Sequence, residues 1–419
     1  MKNKCLLLAG AFIFLFKTAS ADFFLGGYYK NFSTIFAVPA YKIGDDLLHP
    51  PDLGLVNNRI RLKFRIGIGD SLNFHAAYDL SPRIQDPSFF EENIFLMDFS
   101  PPAYRVDDFR YRIYPGPEKE TGSFGLFSNL DRLFFSVRLP FADIYLGRQA
   151  IAWGSARVVN PTDIIAPFAF NELDPEERRG VDALRIRIPL GMMDELDLGF
   201  VAGPDLKPDQ SAVYLRGKTY LFQTDLSLLV MKFFDHFLVG IDVSRSIGGA
   251  GFWFEAAYVR PYFFDRETDA GERDNFRLSL GMDYSLSAKT YGFVEYHFSS
   301  AGKSRPEDYM NLLRSSSFRQ GSVYLMGRHY LALGVTYQIT PLLPFTGLVL
   351  INANDGSFML APKLDFNISE NIYLAGGAYV GIGKKPERIL GPIDIPPILQ
   401  HSEFGTYPDM FFVSFRVYF

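Results

Sequence analysis

The sequence predicts an all-β fold, a transmembrane antiparallel up-and-down β-barrel of about 18 strands, with 16 as the alternative count. Three observations predict it. Residues Phe411 to Phe419 put apolar side chains at 411, 413, 415, 417 and 419, while Phe412, Ser414, Arg416 and Tyr418 point the other way, as in a strand with one greasy face. Beyond the N-terminal leader, no stretch offers 18 uninterrupted apolar residues, so helical spans are excluded; a closed barrel is then what satisfies backbone polar groups in lipid. The 419 residues include 16% aromatics and 36 Gly, yet overall hydropathy is near neutral. A water-soluble β-sandwich explains the alternation but not this aromatic content beside an export leader.

The leader is residues 1 to 21, expected to be a cleaved signal peptide. Lys2 and Lys4 precede an apolar run from Leu6 to Phe16, and Ala19-Ser20-Ala21 forms a small-residue cleavage site. The run is shorter than the roughly 20 residues a spanning helix needs. Lys17, close behind it, speaks for the alternative of an uncleaved anchor. Cleavage leaves Asp22 first and removes Cys5, the one cysteine, so neither an internal disulfide nor c-type haem attachment is expected, and no cofactor is. Without the three leader lysines the chain carries 39 basic and 47 acidic residues, which argues against a nucleic-acid partner.

Taken in order, a first strand fits residues 23 to 34. The clearest strand is 58 to 68, where Ile60, Leu62, Phe64, Ile66 and Ile68 alternate with Arg59, Arg61, Lys63 and Arg65. Gly69-Asp70-Ser71 turns it into 72 to 80, with Leu72, Phe74, Ala76 and Tyr78 outward and Asn73, His75 and Asp79 inward. Further strands are expected at 131–139, 142–152, 181–190, 195–203, 219–230, 236–246, 250–260, 274–286, 289–298, 323–340, 344–354, 357–369, 371–383 and 406–419. That list is odd, and single-chain barrels use even numbers. Short turns counted from the two ends clash between 204 and 250. A separate strand at Ser211 to Arg216, turned at Gly217-Lys218-Thr219, restores parity and gives the count of 18. The long connections 81–130, 153–180, 299–322 and 384–405 then share one face, the outer one. The first, about 50 residues with Pro101-Pro102 and Pro115-Gly116-Pro117, exceeds an idle connector and is a candidate constriction or plug, against a disordered surface loop as the alternative.

The inward positions carry the functional signal. Arg59, Arg61, Lys63, Arg65, Arg132, Arg138, Arg185 and Arg187 are expected to line one wall, since a charge facing lipid at mid-depth costs ~2–4 kcal/mol. Acids at inward parity come mainly later, at Asp225, Asp242, Glu255, Asp283, Glu295 and Asp365. Two readings follow: a transverse field across an open channel, which would orient polar solutes and favour anions, or cross-strand pairing that merely fills the lumen. Tyr28, Tyr78, Tyr258, Tyr284, Tyr296, Tyr337 and Tyr379 are expected in the interfacial girdle.

The closing strand resembles the terminal strand of bacterial outer-membrane β-barrels. That resemblance implies a Gram-negative outer-membrane location, lipid contact, and recognition by the barrel-assembly machinery through the strand ending at Phe419. Gly147-Arg148-Gln149-Ala150-Ile151-Ala152-Trp153-Gly154, with Asn160-Pro161-Thr162-Asp163 and Arg178-Arg179-Gly180 beyond it, resembles a G-R-Q-x-I-x-W-G segment of poorly characterised proteobacterial porin-like proteins. It implies a barrel and no particular substrate, and makes Arg148, Trp153 and Asp163 candidates for a lumen-folded loop; Trp153 as a mere anchor of loop to wall is the simpler reading. Arg148 breaks the alternation, which a bulge near Gly147 or the end of the membrane zone would explain.

An enzyme is not expected. Among the six His, His75 and His297 have inward parity, but neither comes with a nucleophile motif or metal-ligand spacing. Two functions remain. The first is a porin for small hydrophilic, preferentially anionic solutes; the second is a barrel serving as sheath or exit channel for a periplasmic partner such as a multihaem cytochrome, or for an exported polymer.

Overall fold

A computed structural model describes residues 21–43, 46–87, 104–119, 122–167, 170–265, 272–321, 325–388 and 398–419. The leader up to residue 20 and Pro101-Pro102 lie outside them. Eighteen strands form the wall. The first six are β1 Ala21–Ala37, β2 Leu53–Ile68, β3 Leu72–Gln85, β4 Phe124–Arg138, β5 Asp143–Gln149 and β6 Val181–Pro189. The next six are β7 Glu195–Val201, β8 Ala212–Leu221, β9 Thr224–Phe233, β10 His236–Ile247, β11 Ala250–Arg260 and β12 Asn275–Ser287. The last six are β13 Thr290–Ser299, β14 His329–Thr340, β15 Leu343–Asn352, β16 Phe358–Ser369, β17 Ile372–Ile382 and β18 Asp409–Tyr418. Each pairs antiparallel with the next, and β18 pairs with β1, which closes the sheet and leaves no open edge. At the seam, the Gly27 and Phe419 backbones exchange N–H to carbonyl bonds of 2.8 and 3.0 Å.

Connections from even to odd strands take two to five residues, and both ends of the wall's chain lie at that side. The four longest odd-to-even connections, 86–123, 150–180, 300–328 and 383–408, share the other side. One turn differs from the sequence reading. Gly217 sits within the ladder, opposite Leu196 and Leu228, and β8 runs on to Leu221. The chain reverses at Phe222 and Gln223, with φ of 51° and 61°. A two-residue hairpin with two positive φ values normally signals itself by Asn-Gly or Asp-Gly, and Phe-Gln carries no such signal.

Alternation explains the two faces. Leu133, Phe135, Leu146, Leu184, Leu215 and Leu228 stay exposed on the outside, where no other part of the chain covers them. Tyr78, Tyr258, Tyr284, Tyr296 and Tyr337 are exposed with them. Tyr28 and Tyr379 depart from the expected girdle. Tyr28 pairs with Arg61 across the ladder and so shares its inward parity, with Lys30 Nζ 4.3 Å from its ring centre. Tyr379 is half-buried against Phe412.

Candidate pore constriction

Between β5 and β6 the chain does not arch away from the barrel but enters it. Ile151, Trp153, Ile164 and Ile165 are buried in one cluster with Val181, Tyr214, Leu229 and Phe233 of the wall. Trp153 donates from Nε1 to the Thr162 carbonyl at 2.9 Å and lays its ring 4.8 Å from that of Tyr214. Gly154 has φ of 108°, and a Cβ there would stand 2.7 Å from Asn160 Oδ1 and 2.8 Å from Glu255 Oε2. Only glycine passes so close in that conformation.

The first half of this loop is held by acids of the later strands. Glu255 accepts from the Thr162 amide (2.8 Å) and hydroxyl (2.7 Å) and from the Ala156 amide (3.2 Å). Glu295 accepts from the amides of Arg157 (2.6 Å), Val158 and Val159 (both 3.1 Å) and from Trp253 Nε1 at 2.9 Å. Asp242 takes the Ser155 hydroxyl, and Asp283 receives the Arg157 guanidinium at 2.8 Å. Glu255 and Glu295 are thus satisfied by backbone N–H groups of the loop.

The second half meets the opposite wall. Asp174 bridges Lys30 (2.8 Å) and Arg59 (3.0 Å). Glu176 bridges Lys30 (2.6 Å) and Arg416 (3.0 Å) and accepts from the Tyr418 hydroxyl. Burial opposes its charge, but Lys30, Tyr418 and Arg416 together hold its carboxyl below the ordinary range. Lys30 and Arg416 are direct partners across the β1–β18 seam, a like-charge pair that Glu176 relieves. Glu177 sits among Arg61 (2.9 Å), Lys63 and Arg132 (4.0 Å). A segment that touches β11 and β13 on one side and β1, β2, β4 and β18 on the other crosses the lumen.

The cations expected along one wall are, with one exception among the described residues, paired. Arg59, Arg61, Lys63 and Arg132 are paired by loop acids, and Arg61, 2% exposed, also binds Asp79 and Asp131 at 2.5 Å each. Arg185 pairs with Asp197 at 2.5 Å and Arg187 with Glu195. Arg138 lies mostly exposed at the short-turn mouth, 3.8 Å from Asp143. Arg65 has no ion pair among the described residues and lies over the Phe24 ring. At this level the cations meet loop acids and Asp79 and Asp131, whereas the later inward acids Asp242, Glu255, Asp283 and Glu295 hold the loop instead. Sequence parity could not find Asp174, Glu176 and Glu177 because they sit in a loop. Their signal was the acidic run 172–177 directly before Arg178-Arg179.

Asp163 pairs with Arg178 at 2.7 Å, linking the two halves of the loop; burial pushes its carboxyl up to about 6 although Arg178 opposes the shift. Arg148 is placed differently from the expectation. Gly147 has φ of 119°, and Arg148 binds Asp182 at 2.7 Å at the rim, beneath Phe109 and the Asp107 carbonyl. In the described part of the connection after β3, Tyr104 joins the buried cluster of Ile151 and Trp153, and Arg105 binds Asp131 at 3.1 Å and the Gly180 carbonyl at 2.8 Å; residues 88–103 of the expected plug 81–130 lie outside the described ones. His75 stacks on Phe134, with ring centres 4.5 Å apart. Ser279 lies 2.9 Å from His297 Nδ1, but its hydroxyl donates to the Val159 carbonyl at 2.6 Å, so that proton already serves the loop.

A second buried network joins the long connections at the same end of the barrel. Glu403 accepts from Tyr330 Oη (2.5 Å), Asn352 Nδ2 (2.7 Å) and the Met326 amide (3.0 Å). Burial pushes its carboxyl up to about 7. A carboxyl raised on folding stabilises the docked state fully below its unfolded value and loses that contribution as pH rises through about 7. Hydrogen exchange of the Met326 amide and of 402–406, corrected for intrinsic rate, is therefore expected to speed up between pH 5.5 and 8, and Glu403→Gln to flatten that dependence. An equal profile in both proteins would refute it.

The sequence matches no protein-family model and no curated protein. Solved structures do match. Acinetobacter baumannii OccAB3 aligns with a TM-score of 0.56 at 10% identity, over 95% of this chain and 99% of that one. Pseudomonas aeruginosa OccK7 (OpdD) aligns at 0.53 and 11%, over 95% and 99%. Pseudomonas aeruginosa OpdK, solved with vanillate, aligns at 0.53 and 9%, over 94% and 98%. At such identities the likeness is one of fold: an 18-stranded antiparallel barrel along nearly the whole chain.

Proposed function

We propose that this chain is a channel of the Gram-negative outer membrane that passes small hydrophilic solutes, with a preference for anions, and that the 150–180 loop sets its bore. The observation that carries the reading is the inner ladder Arg59, Arg61, Lys63 and Arg65, which climbs from the short-turn mouth to the underside of a loop crossing the lumen. At Arg65, which has no ion pair among the described residues, the ladder opens on a cavity of about 290 Å³ that Lys63, Arg132, His75 and Phe134 also line. A solute entering it meets positive potential, and rows of such charge set the preferred sign of a pore. The whole-length likeness in fold to OpdK, which was solved with vanillate, a carboxylate, supports the same reading.

In this reading the short turns face the periplasm and the long connections face outward. The leader is removed after Ala21, and β18, the strand that completes the wall, is the element read by the assembly machinery. The sheath or exit-channel reading is disfavoured by a loop fastened to opposite walls, which leaves little width for a polymer or a cytochrome.

Reconstitution into planar bilayers tests the proposal. A salt gradient is expected to give a reversal potential of anion-selective sign. Replacing Lys63 and Arg65 with Ser is expected to move it towards cations, without the structural damage that loss of Arg61 would bring. An unchanged potential would overturn the anion preference; absence of any conductance would overturn the channel.

A further inference from the structure

We propose that Asp174, Glu176 and Glu177 form a tethered ligand that occupies the anion path, so that a permeating anion enters by displacing the protein's own carboxylates from Lys63, Arg59 and Arg132. The inference deepens the anion-channel reading and rests on it.

Charge balance is the first support. Lys30, Arg59, Arg61, Lys63, Arg65 and Arg132 crowd the inner wall of three strands, against the strand acids Asp79 and Asp131. The three loop acids reduce that cationic excess from four to one. Six cations converging on a surface with two fixed acids make a site for anions. What fills it is a piece of the same chain.

The quality of the pairs is the second support. Asp79 and Asp131 hold Arg61 from the wall itself, with 6% and 5% of their side chains exposed. Glu177 is 20% exposed and its partner Lys63 42%; Glu176 is 39% exposed against Lys30 and Arg416, and Asp174 is 9% exposed with Arg59 at 28%. Hydrated pairs of this kind are weak and screened by salt, whereas buried ones resist disruption. The wall pairs are thus fixed; among the loop pairs Glu177 with Lys63 is the readily exchangeable one, and Asp174 is held more firmly by the dry Lys30 ammonium. Glu177 in addition lines the 290 Å³ cavity beneath the loop, so an anion arriving there approaches the same three cations that hold it.

The two halves of the loop divide the labour. Glu255 and Glu295 are wholly buried and clamp the 156–162 backbone. Release of the acidic half therefore leaves the loop anchored in the barrel. The opening is local and reversible, and its trigger is an anion that offers the cations a substitute carboxylate or phosphate.

The test compares wild type with the triple replacement Asp174→Asn, Glu176→Gln, Glu177→Gln in planar bilayers. In dilute KCl gradients, the chloride-to-potassium permeability ratio of the variant is expected to rise about threefold or more, and the difference to shrink in molar salt as screening removes it. Inorganic phosphate, added from the short-turn side, is expected to compete with chloride in the variant at about tenfold lower concentration than in wild type. If the acids merely brace the loop, conductance will rise for both ions at an unchanged ratio, and the proposal falls. Glu177→Gln alone keeps both flanking acids and guards against misfolding of the triple variant; it is expected to shift the ratio in the same direction, and an unshifted ratio in a folded single variant also overturns the idea. If neither wild type nor variant conducts, the channel reading itself has failed, and this inference with it.

Discussion

Replacing Arg61 with Ala is expected to destabilise the barrel by about 3–5 kcal/mol, the range for removing one partner of a buried ion-pair network. Arg61 binds Asp79 through Nε and Nη2 at 2.5 and 2.9 Å, Asp131 at 2.5 Å and Glu177 at 2.9 Å. Its loss strands the nearly dry Asp79 beside Asp131, which keeps Arg105 at 3.1 Å and Arg132 at 2.5 Å. Either repulsion or proton uptake must follow, and both cost stability. Arg61→Lys keeps the charge but not the planar fork that serves three acids at once, so it is expected to fall between the two. Urea unfolding in lipid vesicles, followed by the fluorescence of Trp153 and Trp253, measures the loss. Adding Asp79→Ala to Arg61→Ala is expected to recover part of it, because the stranded charge goes too, whereas Asp131→Ala would strand Arg105 and Arg132. A loss below about 1 kcal/mol, the worth of an exposed pair, would mean that the network is hydrated and this account of it is wrong.

Glu295→Ala is expected to have the largest effect on conductance. Four donors lose their acceptor at once: the amides of Arg157, Val158 and Val159 and the Trp253 indole. Two of these donors, the Val159 amide and the Trp253 indole, are buried, and each left unmade costs about 1–3 kcal/mol, enough together to loosen the docked loop. Single-channel conductance is then expected to rise several-fold with frequent transitions, as the loop samples positions off the wall. Trp253 fluorescence should shift to the red in step with it. Glu295→Gln retains one acceptor oxygen and is expected to give an intermediate state. Unaltered conductance in a folded Glu295→Ala barrel would show that Glu255, Asp283 and the apolar cluster around Ile151 and Ile164 suffice to hold the loop.

What the chain disclosed in advance follows from the range of each signal. A strand writes its two faces into consecutive residues, so Ile60 to Ile68 against Arg59 to Arg65 needed no partner to be read; such runs give seventeen strands, and the eighteenth, at Ser211 to Arg216, follows only from the parity of the short turns. The turn at Phe222-Gln223 was hidden because its left-handed geometry is forced by the flanking ladder rather than by Gly or Asn. Tyr28 was misplaced because aromatic character says nothing about parity; Arg61 opposite it does. The constriction was the least legible element. Arg157 and Glu295 are 138 residues apart, and Glu176 and Arg416 are 240 apart, so one sequence offers no local trace of either contact. The basic wall was readable from parity, but its neutralisation was not, since it depends on where a loop without periodicity comes to rest.

The bridge from Glu176 to both Lys30 and Arg416 bears on how the barrel is put together. Those two cations belong to the first and last strands, and they become neighbours only when the sheet has closed. Glu176 therefore gains its second cation only after the final strand has docked in register; a slip of one residue would turn Arg416 to the lipid side and leave the carboxylate half-served. The loop behaves as a keystone, set last, whose fit reports that the arch around it is complete.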